Sequence, residues 1–213
     1  MIESARGLVL RTRRLTETSL IVHWLTADLG RLATVAKGAL RPKSPFRGKV
    51  DLFYSAEFSF VRSRRSELHT LREVSVRETH PAIRRELGRV QQASYAAALV
   101  EQVTEAETPL PEIFGLVKEF IQVLTAALPE PHFVFGFELK LLAELGLEPE
   151  LSKSHLTAGT REIVKVLTGQ DWSTISNLKM SSAQTKELSQ FLHGFLIFHL
   201  GKIPTGRFSA VQG

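Results

Sequence analysis

Val50-Asp51-Leu52-Phe53-Tyr54-Ser55-Ala56-Glu57-Phe58-Ser59-Phe60 decides the fold of the N-terminal part of the chain. One parity reads Val50, Leu52, Tyr54, Ala56, Phe58, Phe60, all apolar; the other reads Asp51, Phe53, Ser55, Glu57, Ser59. Side chains alternate across a strand, so this pattern predicts a strand with one buried face. Working outward, Ser19–Thr26 carries Leu20, Ile21, Val22 and Trp24 and reads as a second strand. Asp28-Leu29-Gly30 is a turn, and Arg31–Ala36 returns as its hairpin partner. Gly7–Arg13 and Leu68–Arg77 supply a first and a last strand. Five short strands in about 80 residues without a long helix predict a small closed barrel, of which the OB-fold is the commonest five-stranded kind that handles oligonucleotides.

Beyond His80-Pro81 the period changes to that of helices. Arg89–Glu107, Glu112–Leu128 and Phe133–Leu145 carry apolar stripes interrupted by Pro109, Pro111, Pro129, Pro131 and Gly146. Thr160–Leu167 predicts a short helix. Ser181 with Gln184 is a capping-box signature opening a last helix through Leu200. The predicted architecture is α+β: an OB-fold barrel over residues 1–80, expected to bind DNA, and an α-helical domain over residues 81–213, expected to bind partners.

Charge separates the same two parts. Residues 1–80 hold 15 Lys/Arg against 8 Asp/Glu, and the remainder 12 against 14, which points to a polyanionic partner for the first part. The chain has no cysteine, so disulfides, thiolate metal sites and a cysteine nucleophile are excluded. No apolar run reaches membrane-spanning length and Met1–Arg6 lacks a signal-peptide pattern, so a cytoplasmic, nucleoid-associated protein is expected.

The basicity concentrates in residues 31–49, where Arg31, Lys37, Arg41, Lys43, Arg47 and Lys49 stand without one carboxylate and Gly38, Pro42, Pro45 and Gly48 break regular structure. A loop of this kind lays cations along a phosphate backbone, with the Ser44 hydroxyl as a further donor. Six neutralised phosphates predict a single-strand log–log salt slope of roughly −4. Arg62, Arg64 and Arg65 form a second cluster in the next turn. Phe53, out of place on its polar parity, and Phe46, inside the loop, are candidates for base stacking. For Phe53 packing under a loop or against the helices is the stronger reading; Tyr54, Phe58 and Phe60 read as core.

Enzymatic signatures are missing: no Gly-rich phosphate loop, no His-Glu-x-x-His, no Gly-x-Ser-x-Gly, and seven scattered histidines. No enzyme activity, metal or cofactor is expected. Three other readings compete: an adaptor whose helices dock an acidic partner tail, an RNA- or ribosome-associated OB protein, and, more remotely, a metal-dependent nuclease.

Ala36-Lys37-Gly38-Ala39-Leu40-Arg41-Pro42-Lys43-Ser44, then Phe46-Arg47-Gly48 and Leu52-Phe53, resembles the bacterial DNA-repair family RecO. Gly7-Leu8-Val9-Leu10, Phe137–Leu142 with Gly146 and Pro149, and His199-Leu200-Gly201-Lys202 with Arg207-Phe208 extend the resemblance over nearly the whole chain. The resemblance implies an N-terminal OB-fold and a helical C-terminal domain. It also implies binding of single- and double-stranded DNA, strand annealing, and recombinase loading onto DNA coated with single-stranded DNA-binding protein. The implied partners are RecR and the acidic tail of that binding protein, held by the helical domain. Many members carry a four-cysteine zinc segment after the helix that ends here at Gly146. The stretch Leu147–Arg161 has no cysteine and only His155, so that segment looks deleted and no zinc is expected.

Overall fold

The computed structural model describes residues 2–212. The chain divides into two compact units, one holding the residues up to Pro81 together with Val103–Lys118, the other holding Ala82–Gln102 and Glu119 onward. The sequence division at residue 80 is thus crossed by a stretch that packs with the barrel.

Five strands close the barrel: β1 (Ile2–Arg14), β2 (Leu20–Thr26), β3 (Gly30–Ala36), β4 (Ser55–Val61) and β5 (Leu68–Glu78), in the order β1-β2-β3-β5-β4. Neighbours pair antiparallel except β3 with β5, which run parallel over Ala33–Val35 and Leu68–Thr70. This is the OB-fold. Period-2 alternation fills the interior with Val9, Val22, Trp24, Leu32, Ala56, Phe58, Phe60 and Leu71. Trp24 stacks on Phe58 with ring centroids 4.1 Å apart, and its buried Nε1–H donates to the Thr34 hydroxyl at 2.8 Å.

The strand read from Val50 begins only at Ser55. Phe53 has φ +62, a left-handed conformation that no ladder accommodates. The Phe53 N–H donates to the Val9 carbonyl at 2.8 Å and the Tyr54 carbonyl accepts from the Val9 N–H at 2.9 Å, so this stretch meets β1 at Val9 and enters the ladder at Ser55, opposite Leu8. That reversal buries the Phe53 ring, 3% exposed, against the parity of its neighbours.

The segment after residue 103 is sewn to β3. Arg31 donates from Nε to the Thr104 hydroxyl at 2.7 Å and from Nη2 to the Thr104 carbonyl at 2.5 Å. The Glu107 N–H donates to the Arg31 carbonyl at 2.9 Å and the Leu110 N–H to the Ala27 carbonyl at 3.1 Å. Gly30, at φ +64, is required here: a Cβ would lie 1.8 Å from the Thr108 carbonyl oxygen.

The helices are α1 (Leu87–Val103), α2 (Pro111–Ala126), α3 (Pro131–Glu144), α4 (Ala158–Gly169), α5 (Trp172–Ser176), α6 (Ser182–Leu200) and α7 (Arg207–Gln212). The capping box forms at α6: the Gln184 N–H donates to Ser181 Oγ at 3.2 Å and the Ser181 N–H to Gln184 Oε1 at 2.9 Å. α3 is buried nearly all round and carries the unit's one fully buried carboxylate among the described residues, Glu138. Its two oxygens take Arg207 Nε at 2.6 Å and Nη2 at 2.8 Å, and Oε1 also accepts from Tyr95 OH at 2.6 Å. Burial, together with the adjacent carboxylate, pushes the Tyr95 hydroxyl far above its ordinary range, so it stays a donor. A buried pair of this kind fixes α7 and α1 onto α3, because leaving either charge alone in the interior is costly.

Candidate nucleic-acid interface

The loop between β3 and β4 is folded rather than slack. Amide-to-carbonyl bonds run Ala39 to Ala36, Arg41 to Gly38, Ser44 to Arg41, Arg47 to Ser44 and Lys49 to Phe46, at 3.0–3.3 Å. Each closes a tight turn, and the turns follow one another like stairs. Gly38 and Gly48, at φ +67 and +70, permit two of the steps. Two anchors hold the staircase down. The Phe46 ring is sunk in the barrel core at 5% exposure, and Ala39 is buried beside it. The outer end is tied to the β1–β2 hairpin tip: the Leu40 N–H donates to the Thr18 carbonyl at 2.9 Å and the Gly38 N–H to Ser19 Oγ at 3.2 Å. Ser44 Oγ accepts from the Phe46 N–H at 3.2 Å, so this hydroxyl braces the loop.

With its apolar residues facing down, the loop exposes Lys37, Arg41, Lys43, Arg47 and Lys49. Among the described residues none of the five has a carboxylate partner; Arg47 donates Nη1 to the Pro42 carbonyl at 3.1 Å. Arg64 and Arg65 are exposed in the β4–β5 turn.

The remaining sequence candidates are placed differently. Arg31 is half-buried and committed to Thr104. Arg62 grips Glu3 through Nε at 2.8 Å and Nη2 at 3.0 Å, and Glu107 through Nη1. The guanidinium holds the Glu3 carboxyl below the usual carboxylate range. Arg62 therefore rivets β1, β4 and the segment after residue 103. Phe46 and Phe53 are both buried, Phe46 as the anchor of the loop in the barrel core, so neither offers an open ring face for a base to stack on. As stacking platforms both are corrected.

Two cations that the sequence reading passed over lie beside the loop. Arg13 and Arg14 are exposed at the end of β1, whose partner Leu20 pairs in turn with Ala36. The electrostatics on this side are visible at His23, the partner of Arg11 on β2. Burial, and then the charges of Arg11, Arg13 and Arg31, push its pKa down to about 4. The β1–β4–β5 face, which Pro45 and Lys49 of the loop border, is different. Glu57 bridges Arg6 and Arg77 at 2.5 Å each and is held at about 2 by those two hydrogen bonds, Arg77 first. Arg6 and Arg77 are thus already matched.

In the helical unit, a groove of about 830 Å³ runs between α6 and α7, lined by Met180, Lys186, His193, Ile203, Pro204 and Phe208 among others. The Phe208 ring is 74% exposed. The cysteine-free stretch after α3 holds a short 3-10 turn at Leu151–Lys153, followed by Thr157, which caps α4. The Glu187 carboxylate secures that cap, accepting from the Thr157 N–H at 2.7 Å. Among the described residues no three His, Asp or Glu side chains are grouped to hold a metal, and no helix is long and apolar enough to cross a membrane.

Comparison with known proteins gives two family matches. Residues 1–80 match the family described as Recombination protein O N terminal, and residues 84–158 match Recombination protein O C terminal. Several curated relatives carry the name DNA repair protein RecO. That of Exiguobacterium sibiricum is 32% identical over 152 residues, 71% of this chain and 60% of the relative. That of Anaeromyxobacter dehalogenans is 37% identical over 148 residues, 68% of this chain and 57% of the relative. That of Bacillus subtilis is 32% identical over 152 residues, 71% and 59% respectively. The match thus spans about 60% of the length of these relatives.

Proposed function

The chain belongs to the RecO family of DNA-repair proteins, and from that premise we propose that it binds DNA strands through the β3–β4 loop and brings complementary strands together. The observation that carries this is the loop itself: five exposed cations on a folded, doubly anchored staircase, none of them paired with a carboxylate among the described residues. Two complementary strands repel through their phosphates. A fixed row of cations releases counterions from each strand and lowers that repulsion, while base pairing supplies the sequence information. Nothing in this mechanism requires a nucleophile, a general acid or a metal, and we assign the protein no catalytic step. Recombinase loading onto strands covered by single-stranded DNA-binding protein, with RecR, would follow as the downstream role at the nucleoid of the cytoplasm. Support for that extension is family membership alone. The test is annealing of complementary labelled strands across a salt series, with and without single-stranded DNA-binding protein. Acceleration that fades with salt is expected; annealing no faster than in buffer removes the proposal.

A second reading, docking of an acidic partner tail, is favoured by the α6–α7 groove, where Lys186 flanks apolar Met180, Ile203 and Phe208. Titrating an acidic tail peptide ending in apolar residues onto the full chain tests it. Binding that persists unaltered in Phe208→Asp would detach the groove from that role.

A further inference from the structure

Under the staircase lies a recess that phosphate binding does not use. It measures about 370 Å³, at the small end of the range of ligand pockets, roughly 300–1,000 Å³. Its walls include Leu20, Leu40, Pro42 and Val50, and Phe46 and Ala39, both buried, line it too. Arg47 and Gly48 complete the lining. Leu40 is 42% exposed, one of the few large apolar side chains the barrel unit leaves in water. It is flanked in sequence by Lys37, Arg41 and Lys43, and the hairpin tip it touches carries exposed Arg13 and Arg14 against a single acid, Glu17.

A hollow with aliphatic walls inside a ring of cations is complementary to one kind of polymer, an anionic backbone carrying flat, weakly hydrated groups. Resting on the strand-binding reading above, we propose that this recess receives an unstacked base of a single strand while the surrounding cations hold the flanking phosphates. Hydrophobic burial against Leu40, Leu20 and Val50 replaces the aromatic stacking that Phe46 and Phe53, both buried, do not offer. A duplex keeps its bases stacked and cannot fill the recess, whereas its phosphates reach the same cations. The recess therefore sets the preference for single over double strands, and the cations set the affinity common to both.

The test compares an oligo-deoxythymidine, an abasic sugar–phosphate strand of the same length and a duplex, each titrated by fluorescence anisotropy. Wild type is expected to bind the base-bearing strand more tightly than the abasic one. Leu40→Ser removes one aliphatic wall but keeps the amide that bonds Thr18, and the side chain is exposed enough for the fold to persist, which a melting curve checks. Its expected loss is roughly three- to tenfold on the base-bearing strand, near the lower end of what a base contact contributes. Affinity for the abasic strand and the duplex, and the salt slope, stay as in wild type. Lys43→Gln, by contrast, weakens all three and lowers the slope. Equal wild-type affinity for the base-bearing and abasic strands overturns the recess and leaves the phosphate reading standing, as does an equal loss on all three in Leu40→Ser. Failure to bind any of them overturns the phosphate reading and the recess with it.

Discussion

Reversing Arg41, Lys43 and Arg47 to Glu in one chain isolates the electrostatic contribution of the loop. The sequence count of six cations becomes five when Arg31 is subtracted, because its guanidinium is committed to Thr104. Five phosphate contacts on a single strand correspond to a log–log salt slope of about −3.5, and the two that remain in the triple variant, Lys37 and Lys49, to about −1.4. With about 0.7 unit of slope per contact, each contributes roughly 0.7 of a decade in affinity at about 0.1 M salt, so removing three lowers affinity about a hundredfold, near 3 kcal/mol. Repulsion from the new carboxylates makes that a lower bound. The fold should be unaffected, because all three side chains are exposed and only the 3.1 Å bond from Arg47 to Pro42 is lost, about 1 kcal/mol or less. The assay is anisotropy of a labelled strand at several salt concentrations, with a thermal melt beside it. A slope unchanged from wild type, in a variant that melts normally, refutes the placement of the strand on this loop.

Four further outcomes follow from the geometry. Arg62→Gln removes the guanidinium from Glu3 and Glu107 and should lower stability in urea by about 1–2 kcal/mol while leaving the salt slope alone; a single-strand slope reduced by about 0.7 would make Arg62 a phosphate contact after all. Glu138→Ala strands the Arg207 guanidinium and the Tyr95 hydroxyl in the interior, for a loss of about 3–5 kcal/mol, and a loss under about 1 kcal/mol would contradict the network's role. His23 has a folded pKa of about 4 against 6.5 unfolded, so the unfolded chain binds the extra proton between those values; stability is complete above about pH 6.5 and falls as pH drops to about 4. Discounted for partial exposure, that is about 1–2 kcal/mol, and His23→Gln should remove it from the pH–stability curve; an unchanged curve counts against the assignment. Gly30→Ala combines a left-handed φ with a clash on Thr108 and should cost more than about 2 kcal/mol by chemical denaturation; a neutral effect would mean that the segment after residue 103 yields freely.

The barrel was legible because half-buried strands announce themselves at period 2, and Ala56, Phe58 and Phe60 fall on the interior face that the alternation assigns. The same rule failed at Phe53, three residues before Ala56. Parity counting assumes an extended backbone, and the positive φ of Phe53 reverses the facing of the chain without any mark in the residue types. α5 and α7 were not anticipated because five or six residues are too few to show a period. At the site, the charge of the loop was visible but its pairing was not. Arg62 meets Glu107 across 45 positions, and Arg31 meets Thr104 across 73, separations at which nothing local signals a partner. The burial of Phe46 was equally hidden, since a loop aromatic reads the same whether it points out at a base or down at a core. The one signal left unused was Arg11, Arg13 and Arg14 together at the end of a strand.

The segment that leaves the helices to lie along β3 has a meaning beyond its hydrogen bonds. β5 pairs with β3 only from Ala33, and the Arg31 end of that strand would otherwise be open. Arg31 forms its bridge with Ala106 instead. An unpaired strand edge is a template on which another chain can add itself, the usual starting point of β-mediated aggregation. This protein blunts that edge with a stretch taken from far along its own sequence, turned at Glu107 by a left-handed residue so that it cannot itself continue as a strand. A barrel cut free at residue 80 would retain its interior and its basic loop and lose the guard on its flank.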